Sequence, residues 1–255
     1  MPGTNDLLNS ILDRASAAEA VSIVRVLKEN CSPEMSIWWR DEFRPSLEHE
    51  IESLLRDKMA EFEASGGVAD LLTFGEPGQE PVSVVLEVVR PRLKLVVFGA
   101  GHVGQSVALI GGMLGYEVIV VDDRHEFASR ERFQDRRIRL LVADPITGAE
   151  RAQINQGTAV VIVTRGHQSD ELCLKTVLQS RATYLGMIGS RRRVLGVFKR
   201  LTADGFSEES LSRVHAPIGL RIGARTPQEI AVSILAEIIE HVNKPKDDGE
   251  MRNAI

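Results

Sequence analysis

From Leu93 onward, short runs of consecutive apolar, largely β-branched residues alternate with longer stretches of helical periodicity, and this pattern restricts the architecture more than any other feature of the chain. The runs are LKLVVFG, EVIVVDD, IRLLVAD, TAVVIVTRG and ATYLGMIG. Strands that are apolar at successive positions are covered on both faces, and helices supply that cover when strand and helix alternate. The expectation is an α/β fold with a parallel, doubly wound sheet. Before it, DLLNSILDRASAAEAVSIVRVLKE and LEHEIESLLRDKMAEFEASGG carry apolar residues at helical spacing, the second through Leu47, Ile51, Leu54, Leu55, Met59 and Phe62. Gly66 and Gly67 read as its stop, and PVSVVLEVVRP reads as a strand closed by Pro91. Residues 1–90 are thus expected to form a smaller, mainly helical segment ahead of the sheet.

The first run leads directly into Gly99, Gly101 and Gly104, a GxGxxG placed between a strand and a helix. In that context Gly99 permits the tight turn, Gly101 lets a phosphate approach the backbone, and Gly104 allows close packing of helix on strand. The free amides at the helix start face the phosphate. The second run ends in VVDDR, with Asp122 standing 23 positions after Gly99. An acidic residue at about that distance meets a ribose hydroxyl, while the competing reading is a carboxylate that caps a loop. Arg124 leaves room for a 2′-phosphate. His102 lies at the helix N-terminus, where the dipole favours a neutral imidazole, and it reads as a phosphate donor, a base or a solvent-facing residue.

The remaining runs end on the same rim, because the carboxyl ends of the strands line the crevice of such a sheet. Thr164, Arg165, His167 and Asp170 follow the fourth run. His167 and Asp170 are candidates for proton transfer, against a plain reading in which Asp170 caps a helix. Gly189, Ser190, Arg191 and Arg192 follow the fifth, with Ser190 as N-cap and the arginines as an anion site or a solvated basic face. Thr226, Pro227 and Glu229 form a TxxE capping box at the start of the last helix, and His215 either faces the crevice or packs.

Composition narrows the function classes. The formal net charge of −5 over 255 residues disfavours a general nucleic-acid binder. Cys31 and Cys173 stand outside any CxxC or Cys/His pattern, so neither a disulfide framework nor a metal site is indicated, and a reducing cytoplasm is expected. There is no apolar run of membrane-spanning length, and the start MPGTNDLLNS lacks a signal-peptide pattern.

Taken in order, FGAGHVG, VVDDR, TRGHQSDELCL, YLGMIGSRRR and HAPIGLRIGARTPQEIAVSILAEII closely resemble the Rossmann domain of the XdhC/CoxI family, over about residues 85–243. The resemblance implies a divergent N-terminal family module over 1–90 and the Rossmann-like domain over 91–255. It further implies an accessory factor, a maturation chaperone rather than a turnover enzyme. Such a factor binds molybdenum cofactor, protects it during sulfuration with a cysteine desulfurase, and inserts it into an apo molybdenum hydroxylase of the xanthine dehydrogenase type. The cofactor is a pterin bearing a phosphate or a dinucleotide. Two positions depart from the family pattern. Ser46 in FRPSLEHEI stands where a GGGCLE-like motif has its cysteine, and Arg221 in IGLRIGA stands where an aspartate is typical. Competing readings are an NAD(P)-dependent oxidoreductase using Asp122 with His102 or His167, and a non-catalytic nucleotide-binding scaffold. The apolar helix over 227–242 offers a face for a homodimer.

Overall fold

A computed structural model describes residues 21–27, 34–38, 55, 57–59, 61–62, 69–74, 82–89 and 92–243. The chain divides into two compact units, Met1–Pro91 and Arg92–Ile255.

In the first unit the described residues correct the helical reading of Val21–Leu27, which is a strand. The described part of this unit contains a four-stranded antiparallel sheet in the order β2-β1-β4-β3, with β1 at Val21–Leu27, β2 at Glu34–Trp38, β3 at Ala69–Phe74 and β4 at Val82–Val89. The whole of β1 runs along β4, from Val21 opposite Val89 to Leu27 opposite Ser83. The apolar spacing of VSIVRVL is compatible with a helix, but its β-branched residues pack well on a pleated surface once that partner is available. The second helical reading holds where it is described: Leu55 and Met59 are buried in helix and, with Phe62 beside them, pack against Val24, Val26, Val84, Leu86 and Val88. Leu47, Ile51, Leu54, Gly66 and Gly67 lie outside the described residues.

The second unit is the doubly wound sheet. Six parallel strands run in the order β10-β9-β8-β5-β6-β7. They are β5 at Lys94–Phe98, β6 at Glu117–Asp122, β7 at Arg139–Val142, β8 at Thr158–Ile162, β9 at Tyr184–Met187 and β10 at Val214–His215. The helices between them are α1 at His102–Met113, α2 at Pro145–Ala152, α3 at His167–Val177, α4 at Arg191–Ala203 and α5 at Glu208–Ser212, and α6 at Pro227–Asn243 follows β10.

Alternate residues of each strand feed two separate cores. Val96, Phe98, Ile119, Val121, Val160 and Ile162 pack with Leu174 and Val177 of α3 and with Val194 and Val197 of α4. Leu95, Val97, Val118, Val120, Ala159 and Val161 pack with Val107 and Ala108 of α1 and with Ile234 and Ile238 of α6. The chain proceeds outward from β5 to β6 and β7, then returns to place β8 on the other side of β5. That reversal leaves a crevice at the carboxyl ends of β5 and β8, where ligands of such sheets bind. Among the described residues, no helix is long and apolar enough to cross a membrane.

Candidate functional site

At the switch point lies a crevice of about 380 Å3, bordered by Gly99, Asp122, Arg124, Asp144 and Thr164, with Cys173 buried in its wall. Gly99 adopts φ +106°, and a Cβ there would approach the Val163 carbonyl oxygen to 2.5 Å. A Cβ on Gly104 would lie 1.8 Å from the Gly99 carbonyl oxygen, so α1 and the loop can meet only without a side chain there. Gly101 is different. It is the N-cap of α1, makes no side-chain capping bond, and a Cβ on it would meet nothing within 4 Å. The open space at Gly101 adjoins a helix start whose first amides have no partner within the helix, the arrangement that receives an anion. His102 begins the helix and is exposed.

Asp122 ends β6 with its side chain 3% exposed. Its Oδ2 accepts from the Ala100 amide at 2.7 Å and from Arg124 Nη2 at 2.8 Å. Its Oδ1 accepts from the Arg124 amide at 3.1 Å and from Arg124 Nε at 2.9 Å. Burial by itself would raise the Asp122 pKa; the hydrogen bonds from Arg124 and the Ala100 amide outweigh it and hold the carboxyl below its ordinary value. A carboxyl depressed in the folded state contributes stability above its unfolded pKa, about 3.9, that is lost as pH falls through the lower folded value. Urea unfolding at a series of pH values is therefore expected to show wild type losing stability below about pH 4 more steeply than Asp122→Asn. Equal acid slopes would remove Asp122 from that role.

At the end of β8, Thr164 donates to Asp170 Oδ1 through its amide at 3.2 Å and its hydroxyl at 2.6 Å. Asp170 is buried and is not the cap of α3; Gly166, at φ +108°, takes that position. His167 begins α3, and its side chain lies outside the described residues. Burial, with the nearby carboxylates Asp170, Asp122 and Asp123, pushes the Cys173 thiol up, so it is neutral at physiological pH.

One strand further along the rim, Gly189 precedes Ser190, whose hydroxyl accepts from the Arg193 amide at 3.3 Å and caps α4. The side chains of Arg191, Arg192 and Arg193 are exposed and make no ion pair among the described residues. The capping box at α6 is formed, with Thr226 Oγ1 accepting from the Glu229 amide at 3.2 Å and Glu229 accepting from the Thr226 amide at 3.0 Å. His215 packs rather than lining the crevice, stacked on Tyr184 with ring centroids 4.5 Å apart. The structure thus brings Gly99, Asp122 and Thr164 to one crevice, while Gly189 to Arg192 follow β9, the strand next to β8, and lie outside the crevice lining. Cys31 and Ser46 lie outside the described residues, and Arg221 sits exposed in the loop before α6.

Sequence reasoning missed the segment that follows Asp122. Arg124 lies 3.7 Å over the Phe127 ring, and Arg132 approaches the same ring at 5.0 Å. Arg132 Nη2 donates to the Ala100 carbonyl at 3.3 Å and to Gln105 Oε1 at 3.0 Å, while Gln105 Nε2 donates to the Arg132 carbonyl at 2.7 Å. The run DDRHEFASRER offers a cluster of charges but no spacing rule for this lacing.

The model of the XdhC Rossmann domain matches residues 95–238. The chain belongs to this family. Among its relatives, the uncharacterized protein YqeB of Escherichia coli K12 is 35% identical over 64% of this chain and 30% of its own length. A protein of Bacillus subtilis named as a probable xanthine dehydrogenase subunit is 30% identical over 63% of this chain and 46% of its own. The molybdenum cofactor insertion chaperone PaoD of Escherichia coli K12 is 26% identical over 58% and 40%. The chain therefore spans between about a third and a half of the curated relatives it matches. A crystal structure described as a xanthine dehydrogenase from Bacillus halodurans shares the fold, with a TM-score of 0.55 at 17% identity over 94% of this chain and 97% of that one.

Proposed function

We propose that this XdhC-family chain is an accessory factor that holds molybdenum cofactor by its phosphate and delivers it to an apo molybdenum hydroxylase of the xanthine dehydrogenase type. The observation that carries the reading is that Gly101 stands open at the start of α1, while Arg191, Arg192 and Arg193 at the start of α4 are exposed and make no ion pair among the described residues. A helix N-terminus offers amide donors and guanidinium groups offer charge-assisted ones, and both suit a phosphate or pyrophosphate. Support also comes from one relative named as a cofactor insertion chaperone and another named for xanthine dehydrogenase. Exchange of the cofactor's terminal oxo ligand for sulfur, with a cysteine desulfurase as partner, belongs to the same reading. Cys173 does not supply a thiolate for it, since its thiol is buried and neutral.

The test is retention of freshly released molybdenum cofactor through gel filtration. Wild type is expected to retain it. Gly101→Val, which fills the open approach, and Arg191→Ala, which removes one cation, are each expected to weaken retention about tenfold or more, the equivalent of one lost charge-assisted hydrogen bond. Wild type that emerges without cofactor defeats the proposal.

A further inference from the structure

The crevice beside the glycine loop, at about 380 Å3, falls in the size range of small-ligand sites. In a dinucleotide-binding fold of this type, the carboxylate ending the second strand reads the adenosine ribose. Here that carboxylate is already saturated. An ionised carboxylate offers about four lone-pair directions. Asp122 uses four, on the Ala100 amide and on the amide, Nε and Nη2 of Arg124. Arg124 is held from its other side by the Phe127 ring, and Arg132 ties the same segment back to the Ala100 carbonyl. Ala100 is thus gripped at both its amide and its carbonyl, by Asp122 at the end of β6 and by Arg132 beyond it.

We propose that Arg124 is a specificity residue that closes this crevice to nicotinamide dinucleotides. A ribose diol finds no acceptor on Asp122 unless it displaces a guanidinium held in a largely desolvated bidentate pair, with side chains 25% and 3% exposed. A 2′-phosphate fares no better, because the Arg124 charge it needs is neutralised by Asp122. What remains open to a ligand is the phosphate cradle without the ribose reader. The site therefore takes phosphate-bearing ligands that do not depend on an adenosine diol. The inference rests on the proposed role of the crevice as a phosphate-ligand site, and not on which cofactor fills it.

The test is titration of the full-length chain with NADH and with NADPH at pH 8, followed by nicotinamide fluorescence, for wild type, Arg124→Ala and Arg124→Gln. Wild type is expected to bind both weakly. Freeing Asp122 is expected to tighten NADH by about tenfold or more while leaving NADPH unchanged, because the released carboxylate accepts from a diol and repels a 2′-phosphate. Wild type that binds NADH as tightly as the variants overturns the proposal, and so does an equal gain for NADH and NADPH. Cofactor retention is measured on the same preparations. A chain that retains no molybdenum cofactor yet shows the NADH gain in Arg124→Ala refutes the proposed function and leaves this inference standing.

Discussion

Gly104→Ala is expected to lower the unfolding free energy by about 3 kcal/mol, the upper part of the range for overpacking. The added methyl would lie 1.8 Å from the Gly99 carbonyl oxygen and 3.3 Å from Val163 Cγ2. The nearer atom belongs to backbone whose own position is fixed. Gly99 sits at φ +106°, its amide donates to the Val121 carbonyl at 2.8 Å, and its carbonyl faces α1. Relief would require α1 to lift away from β5, opening the core of Val107 and Ala108 against Leu95 and Val97. Gly101→Ala is the matched control, since its Cβ meets nothing within 4 Å and an alanine for glycine at an N-cap costs about 1 kcal/mol or less. Chemical denaturation of the two variants separates the glycine that packs from the glycine that leaves space. Equal stability would mean that the helix does not approach the loop this closely.

That contrast shows which parts of the site the sequence carries on its face. The glycine loop is legible because each glycine answers a local demand, a turn at Gly99 and a close approach at Gly104. β5, β6, β8 and β9 are legible because burial on both faces leaves no alternation to misread, and β7, exposed at Arg139 and Val142, is legible from its apolar run alone. β10 is not, since two residues, Val214 and His215, become a strand only by pairing with Leu185 and Gly186. Within the antiparallel sheet of the first unit β4 is legible as PVSVVLEVVRP, but its partner β1 escapes for a related reason. Val21–Leu27 is held by Val82–Val89, and no local window contains both. Asp122 shows the limit at the site itself. Its place at the strand end follows from spacing, but its partners depend on Arg124 folding back over two residues and on Ala100 arriving from the end of another strand. Asp170 likewise sits near a helix start as its position suggests, while the cap falls to Gly166 and the carboxylate turns back to Thr164.

Glu237 has no signature in the sequence, and its removal is the other change expected to be severe. Its Oε2 accepts from the Tyr184 hydroxyl and from the Gly219 amide at 2.8 Å, and His215 Nδ1 lies 3.6 Å from its Oε1. Tyr184 is 1% exposed, so its hydroxyl has no recourse to water once the carboxylate is gone. Gly219, at φ +98°, begins a turn fastened again by Ser233, which stands one helical turn before Glu237 and donates to the Leu220 carbonyl at 2.6 Å. Two residues on one face of α6 thus hold the loop that presents Arg221. Glu237→Ala is expected to cost about 2 to 4 kcal/mol, because two donors lose their acceptor in a largely buried setting. Glu237→Gln keeps an acceptor oxygen of the same reach and is expected to cost about 1 kcal/mol. Urea unfolding of both variants decides whether acceptor geometry or charge anchors the loop. A glutamine variant as unstable as the alanine one would assign the anchoring to the carboxylate's charge beside His215 rather than to its acceptor geometry.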